Sequence, residues 1–263
     1  MHRKQLERFI GWFDGYVAGF YGDDAYINAN LKLKEDHTKR VCRETNDLAD
    51  KLGLGENDRL LAETIAIFHD VGRFRQFAEY RTYCDPRSIN HNLLAVEILR
   101  QNNVLDILQD GEKKIITTAV ELHGTKRLPD DLSIETALHA KLIRDADKLD
   151  VYYVSLKYQK EHKASPGKFM LETEFPDEPR CTEKVFSSVI NGEVVDYADL
   201  RTLNDFRLMQ LGWVFDVNFI PTFENIRQRG YLEEMCSYFS CKDKVEKVKK
   251  AVLNHVDLKI SGS

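Results

Sequence analysis

Cysteine is scarce in this 263-residue sequence, and its pattern excludes two classes of protein. The five cysteines are odd in number and include no Cys-x-x-Cys pair. Neither a disulfide framework nor a thiolate zinc site is therefore expected. The same pattern favours a reducing compartment, and we expect a cytoplasmic protein.

Long apolar runs and an excess of basic charge are also missing. No uninterrupted apolar stretch approaches the roughly 18 residues that a membrane-spanning helix needs. Near the N-terminus, Glu7 and Asp14 interrupt the apolar residues, so this segment is a poor signal peptide and is predicted to form an amphipathic helix. The 38 basic and 43 acidic residues give a net charge of -5. We expect neither nucleic acid nor a membrane as a partner.

Proline, glycine and alternating strand patterns are sparse, which predicts an all-α fold. There are six prolines and fourteen glycines, and helical periodicity dominates. Helices are predicted at about 3–20, 32–52, 58–71, 88–103, 111–123, 133–160, 198–216, 222–238 and 242–256. For one segment, 187–197, the sequence is compatible with two structures: a small hairpin closed by Asn191-Gly192, or a helix–turn–helix.

Three prolines fall within residues 162–181, which are predicted to form a long loop. It would separate a helical core at 1–160 from a C-terminal helical extension at 161–263. The apolar segment "WVFDVNFIPTF" in the extension favours packing onto the core as one structural unit. Whether residues 162–181 form a lid or a connector is left open.

What the sequence does contain is a set of histidines on apolar helix faces. Side chains three, four and seven residues apart share one face of a helix, and by this spacing four histidines extend apolar stripes: His37, His69, His91 and His123. A single histidine on such a face is more often an ordinary core residue. With Asp70 beside His69 and Asp147 on a later stripe, six polar side chains would be buried in one core. A buried carboxylate costs free energy unless it has a partner, and a metal ion is the partner that could serve all six side chains together.

Imidazole and carboxylate ligands suit divalent iron, manganese, cobalt, nickel or zinc, and magnesium is possible. Adjacent helical side chains diverge by about 100°, so Asp70 can reach a different ion from its neighbour His69. A carboxylate between two ions is the arrangement of a two-metal hydrolytic site. The sequence therefore predicts a metal centre, with two ions favoured over one.

The ordered set of His37, the His69–Asp70 doublet and "RDADKLD" with Asp147 resembles the HD-domain metal-dependent phosphohydrolase superfamily, over roughly residues 30–155. The resemblance implies an HD-domain helical bundle with a C-terminal helical extension. His91 and His123 fall where the dinuclear branches of the superfamily carry extra ligands. By resemblance, one metal would be held by His37, His69, Asp70 and Asp147, and a second by His91 and His123, with Asp70 bridging.

Two details of the resemblance bear on the substrate and on the last ligand. There is no "GYP" sequence, and "LHG" replaces the paired histidines of HD-GYP phosphodiesterases, so a cyclic dinucleotide substrate is doubtful. Asp145 competes with Asp147, since the two lie about 200° apart on a helix and only one can face the site. Periodicity leaves both open, and the family pattern favours Asp147.

The segment "HDVGRFR" adds candidates for catalysis. Gly72 would allow a tight exit from the helix and the close approach of a ligand. Asp70 could orient the nucleophile, and Arg73 stands where related proteins direct a basic residue at the substrate phosphate. Lys126 and Lys148 are weaker candidates for binding substrate, as are Arg75 and Arg127. Aromatic residues after the doublet, from Phe74 to Tyr83, would either stack on a base or pack the next connection.

The resemblance implies hydrolysis of a phosphoester or phosphoanhydride of a small molecule, with a nucleotide as the favoured substrate, through a metal-activated water. The alternative is a mixed-valence di-iron oxygenase, because some HD-fold enzymes use a comparable ligand set for oxygen chemistry. A second alternative is a binding protein whose metal is structural. The substrate, the metal, the number of ions and the oligomeric state are not determined by the sequence.

Overall fold

A computed structural model describes residues 1–164, 175–239 and 242–262. Within these ranges the chain forms α-helices and short 3-10 turns and contains no β-strand, which confirms the all-α prediction. The helices are α1 (Arg3–Ala18), α2 (Ala25–Lys51), α3 (Glu56–Phe68), α4 (Gly72–Tyr80), α5 (His91–Gln101), α6 (Asp110–Leu122), α7 (Ile134–Ala164), α8 (Glu183–Ile190), α9 (Leu203–Gly212), α10 (Ile220–Arg229), α11 (Tyr231–Cys236) and α12 (Lys242–Ser261).

The chain divides into two compact units, Met1–Asp147 and Lys148–Ser263, and the division falls inside α7. The predicted boundary near residue 160 and the packing of both parts as one structural unit stay predictions. The predicted loop at 162–181 begins later than expected, because α7 continues to Ala164. Residues 165–174, which make up half of that predicted loop, lie outside the described ranges, so its role as lid or connector stays a prediction.

The first unit is built around α3. This helix contacts α1, α2 and α6, while α4 contacts α2 and α5. Large apolar side chains fill the core, and ring pairs such as Phe9–Phe68 (5.6 Å between centroids) and Phe13–Phe74 (5.8 Å) join the helices. Burial of aromatic rings of this size is a major source of packing stability. The core thereby holds the ends of α3, α5 and α6 close together.

Side-chain caps explain where several helices begin. The Asp24 carboxylate accepts hydrogen bonds from the Tyr26 and Ile27 amides at the start of α2, and the Asn90 amide oxygen caps α5 in the same way. Such caps satisfy amide groups that have no partner inside the helix. Helix α3 begins at Glu56, after Gly55, two residues before the predicted start at residue 58.

Three predictions of secondary structure need correction. The helix α4 (Gly72–Tyr80) was not predicted, because a glycine and two arginines just after α3 suggested an exit into a loop. Of the two alternatives left open for 187–197, the hairpin is wrong and a helix followed by a turn is found, since α8 runs to Ile190 and the turn includes Gly192. The single helix expected at 222–238 is divided at Gly230, whose φ of 62° lies in the left-handed region that favours glycine.

The second unit contains α8 to α12 and the last part of α7. Helix α12 contacts α8, α10 and α11, and α8 also contacts α9. The buried Asp205 carboxylate accepts hydrogen bonds from the Thr182 amide (2.7 Å) and hydroxyl (2.6 Å), and from the Arg201 and Thr202 amides. This carboxylate thereby fixes the start of α9 against the segment before α8. Among the described residues, no helix combines the length and the apolar character that a bilayer crossing requires.

Candidate metal centre

All six predicted ligands belong to the first unit. They come from two helix interiors, three helix ends and the residue after one of those ends: His37 in α2 and Asp147 in α7, His69 directly after α3, His91 at the first position of α5, His123 directly after α6, and Asp70 after His69. The four histidines and Asp70 are buried, and the Asp147 side chain is 24% exposed. The fold therefore brings together residues that are far apart in the sequence.

One group of possible ligand atoms consists of His37, His69 and Asp70. The two imidazole Nε2 atoms lie 3.2 Å apart, and Asp70 Oδ2 lies 3.4 Å from His37 Nε2 and 3.8 Å from His69 Nε2. Asp147 joins this side of the centre, with Oδ1 at 3.2 Å from His37 Nε2 and 4.0 Å from His69 Nε2. Asp145, the competing acid, is fully buried. These distances favour Asp147 as the ligand.

A second group consists of Asp70, His91 and His123. The other carboxylate oxygen of Asp70, Oδ1, lies 3.4 Å from His91 Nε2 and 3.7 Å from His123 Nε2. The Nε2 atoms of His91 and His123 are 3.3 Å apart. Asp70 thus directs one oxygen at each histidine pair, which is the geometry of a carboxylate shared by two cations.

The other ring nitrogens show which imidazole atoms are available as ligands. Nδ1 of His69 donates to the Ala66 carbonyl at 2.7 Å, and Nδ1 of His123 donates to the Val120 carbonyl at the same distance. Both histidines follow the last turn of a helix, so each reaches the carbonyl three residues earlier. A hydrogen on Nδ1 leaves a lone pair on Nε2 in the neutral ring, and this contact also fixes the ring orientation.

The third ring, His91, is held by a carboxylate. Its Nδ1 donates to Asp85 Oδ2 at 2.6 Å, so its Nε2 also carries a lone pair when the ring is neutral. The Nε2 lone pairs of His91 and His123 therefore face each other at 3.3 Å. Two acceptors at this separation repel each other unless a positive charge lies beside both. The donor set fits a divalent cation.

Burial keeps these groups in the protonation states that metal ligands need. Burial lowers the pKa of His69 to about 4, and burial together with the charge of Arg73 lowers the pKa of His91 to about 3. Burial would raise the pKa of Asp70, but the positive charges of Lys34 and Arg73 outweigh it and hold that pKa well below its usual range. At neutral pH the two imidazoles are uncharged and the carboxylate is ionised.

Sequence reasoning missed Lys34, which lies at the centre. Its Nζ donates to Asp70 Oδ2 at 2.9 Å. The signal was present, because Lys34 precedes His37 by three residues and so shares its helix face. A lysine at the edge of an apolar stripe usually belongs to the solvated surface, and for this reason Lys34 was not predicted as a site residue.

Asp85 was also missed, and it connects two parts of the centre. Besides binding His91, its carboxylate accepts hydrogen bonds from Arg73 Nη1 (2.9 Å) and Gln76 Nε2 (2.8 Å). Burial would raise its pKa, but the hydrogen bond from His91 and the nearby positive charge outweigh it and lower the pKa to about 2. No sequence signal marked Asp85, since "CDPRS" resembles an ordinary turn.

Arg73 lies beside Asp70, with Nε 3.4 Å from Oδ1. Its Nη1 donates to three protein acceptors, which are the Tyr83 carbonyl (2.6 Å), Asp85 and Gln76. The guanidinium is therefore fixed within the protein and next to the shared carboxylate. Its roles in catalysis and substrate binding stay predictions.

The weaker cationic candidates have surroundings different from those of Arg73. Lys126 is exposed in the turn after α6. Lys148 belongs to the second unit, where its Nζ lies 2.8 Å from Asp216 Oδ2. Arg75 pairs with Glu79 on the exposed side of α4. The substrate-binding roles given to Lys126 and Lys148 remain predictions.

Several neighbours of the centre are structural. Phe74 and Phe77 are fully buried core residues, which supports the packing interpretation of this aromatic segment. Gly72 is close to protein backbone rather than to a ligand, because a Cβ there would lie 2.3 Å from the His91 carbonyl oxygen. Arg144, which was not predicted, donates to the His123 carbonyl at 3.0 Å and the Thr125 carbonyl at 2.6 Å. It thereby holds the end of α6, where His123 lies.

Replacing Asp85 by asparagine should weaken the binding of one ion and spare the other. An amide NH₂ facing His91 Nδ1 favours the tautomer with the hydrogen on Nε2, which removes a ligand lone pair. Loss of such a supporting carboxylate typically costs about 10- to 100-fold in metal affinity. Metal content after dialysis against graded chelator should show early loss of one ion. Asp106→Asn, at an exposed site, is the matched control, and equal retention of both ions in the two variants would contradict the expectation.

The fold and the site together define a class of protein: an all-α chain with a buried centre in which one aspartate is shared by two histidine pairs. Residues 35–152 match the family model described as "HD domain". The match covers a little under half of the chain. Over these residues the chain is similar to the HD domain, and its ligand groups are consistent with a dinuclear branch of that family. No curated protein and no solved structure matched the sequence.

Proposed function

We propose that this protein is a metal-dependent phosphohydrolase that acts on a phosphoester or phosphoanhydride of a small molecule, with a nucleotide as the favoured substrate class. The observation that carries the proposal is the position of Asp70 between two pairs of histidines whose Nε2 atoms face each other. The first ion would be held by His37, His69, Asp70 and Asp147, and the second by Asp70, His91 and His123.

When bound, a pair of divalent ions supplies Lewis-acid activation of water and neutralises charge on the phosphoryl oxygens. The protein contributes the ionised Asp70 carboxylate, which can accept a hydrogen bond from the attacking water and orient it. Arg73 stands against the same carboxylate and adds a fixed positive charge close to the phosphoryl group. The buried surroundings strengthen these charge interactions relative to water.

Composition supports a small-molecule substrate in a reducing compartment. The net charge of -5 offers no general attraction for nucleic acid or anionic membranes. The odd number of cysteines without a Cys-x-x-Cys pair agrees with a cytoplasmic location. The aromatic residues do not define a base-stacking site, so the preference for a nucleotide rests on the resemblance to the HD superfamily.

Metal analysis of the native protein followed by a substrate screen tests the proposal. With manganese or cobalt, we expect phosphate release from one or more phosphomonoesters, phosphodiesters or nucleoside polyphosphates, without oxygen uptake. A mixed-valence iron signal with oxygen consumption would replace the proposal by the di-iron oxygenase alternative. Metal bound without turnover of any member of the panel would indicate a structural metal. A His91→Gln variant that kept full activity would show that the second ligand group is not used.

A further inference from the structure

Lys34 occupies a position between the shared carboxylate and an aromatic ring. Its Nζ lies 2.9 Å from Asp70 Oδ2 and 5.3 Å from the centroid of the Tyr83 ring. The Tyr83 ring stacks on Phe77, and its hydroxyl donates to the Asn30 carbonyl on the helix that carries Lys34. The lysine side chain is 19% exposed, so it lies in the centre and still reaches solvent.

The two cations beside Asp70 differ in how firmly the protein holds them. Arg73 approaches Oδ1, and three protein acceptors hold its Nη1. Lys34 approaches Oδ2, and among the described residues Asp70 is the acceptor that its ammonium reaches. An ammonium has three N–H donors, so Lys34 retains donors for an incoming group. Its flexible four-carbon stem also allows the charge to move, whereas the guanidinium of Arg73 is held in one place.

The oxygen bound by Lys34 is the one that the first metal would need. Asp70 Oδ2 faces His37 and His69. A divalent cation held by these residues would stand next to the Lys34 ammonium and would repel it. Binding of metal therefore favours displacement of Lys34 from Asp70 and requires a new anionic partner for it nearby. A phosphoryl oxygen of the substrate meets that need, because a compact ammonium binds phosphate as a point charge.

We propose that Lys34 is a substrate-binding residue that moves from Asp70 to a phosphoryl oxygen of the substrate when the centre is loaded with metal. This inference rests on the proposed function for the identity of the substrate. Arg73 keeps its contacts with Tyr83, Asp85 and Gln76 and acts as a fixed positioning residue. The centre thus contains one cation that orients the shared carboxylate and another that recognises the ligand.

Lys34→Met tests this assignment, because methionine has a long, flexible apolar side chain without charge. In manganese-loaded protein, we expect the KM of a phosphate ester to rise about 10-fold or more, with a smaller change in kcat. Calorimetry with inorganic phosphate should show a loss of affinity of at least the same size. Manganese retention should be unchanged or higher, since no ammonium competes for Asp70. Lys32→Met, on the same helix but 52% exposed, is the control and should resemble the unchanged protein.

The outcomes separate this inference from the proposed function. Lys34-dependent phosphate binding in a protein that hydrolyses no ester would support the assignment of Lys34 and refute the proposed hydrolysis. Equal phosphate affinity in the unchanged protein and the Lys34→Met variant would overturn the assignment, as would absence of phosphate binding to the manganese-loaded unchanged protein. A variant that loses manganese but binds phosphate normally when reloaded would show that Lys34 only positions Asp70. Should Lys34→Met not fold, Lys34→Gln takes its place, and Lys34→Arg should retain phosphate binding.

Discussion

Asp70→Ala is expected to abolish metal retention and to reduce phosphate release by about 10³-fold or more, as loss of a charge-stabilising group at a reaction centre does. The physical reason is that one carboxylate serves both ligand groups. Its two oxygens face the His37–His69 pair and the His91–His123 pair. Removal therefore weakens both ion sites at once. The measurements are metal content per chain after gel filtration, phosphate release, and helix content by circular dichroism.

Helix content should remain close to that of the unchanged protein, because Asp70 lies after the last residue of α3 and contributes no apolar side chain to the core. Asp131→Ala, in the exposed turn before α7, is the control and should retain both metal and turnover. Asp70→Asn preserves the shape of the side chain and separates loss of charge from loss of packing. An active Asp70→Ala protein that still binds two ions would refute the assigned centre.

Gly72→Ala should destabilise the fold and disturb the second ligand group. A Cβ at this position would lie 2.3 Å from the His91 carbonyl oxygen and 2.9 Å from the Ala95 amide nitrogen. These atoms belong to the backbone of α5, so α4 and α5 must separate by about 1 Å to reach ordinary contact. Forcing extra atoms into close packing typically costs about 1–3 kcal/mol, and we expect a loss near the upper end. Urea unfolding in the presence of chelator measures it.

The same displacement should move His91, the first residue of α5, away from His123. We therefore expect the second ion to be lost from Gly72→Ala at lower chelator concentrations than from the unchanged protein. Gly111→Ala in the first turn of α6 is the matched control, because a Cβ there meets no atom within 4 Å. That control should be neutral or slightly stabilising, since alanine is the better helix former. Equal stability of the two variants would show that close packing at Gly72 does not matter.

The sequence alone predicted the helical class. It also predicted, without an alternative at any position, the five residues that form the two candidate ligand groups. This was possible because the buried positions of a helix recur in the sequence with the helical period. A histidine that faces a core continues the apolar stripe of its helix, and the side-chain positions at three, four and seven residues reveal it. His37, His69, His91 and His123 were found in this way, and Asp70 through its neighbour His69. The choice of Asp147 needed the family pattern, because Asp145 also lies on an apolar stripe.

Only the tertiary structure decided how these side chains are supported and charged. The hydrogen bond from His91 to Asp85 and the ion pair from Lys34 to Asp70 join residues of separate elements. Neither contact has a periodic signal, because a loop aspartate and a lysine at the edge of a stripe are common on protein surfaces. Gly72 is a similar case, since its lack of a side chain is required by α5, a helix that begins nineteen residues later. Helical periodicity reports which face of a segment is buried, and only the packing of one segment on another determines which atoms meet there.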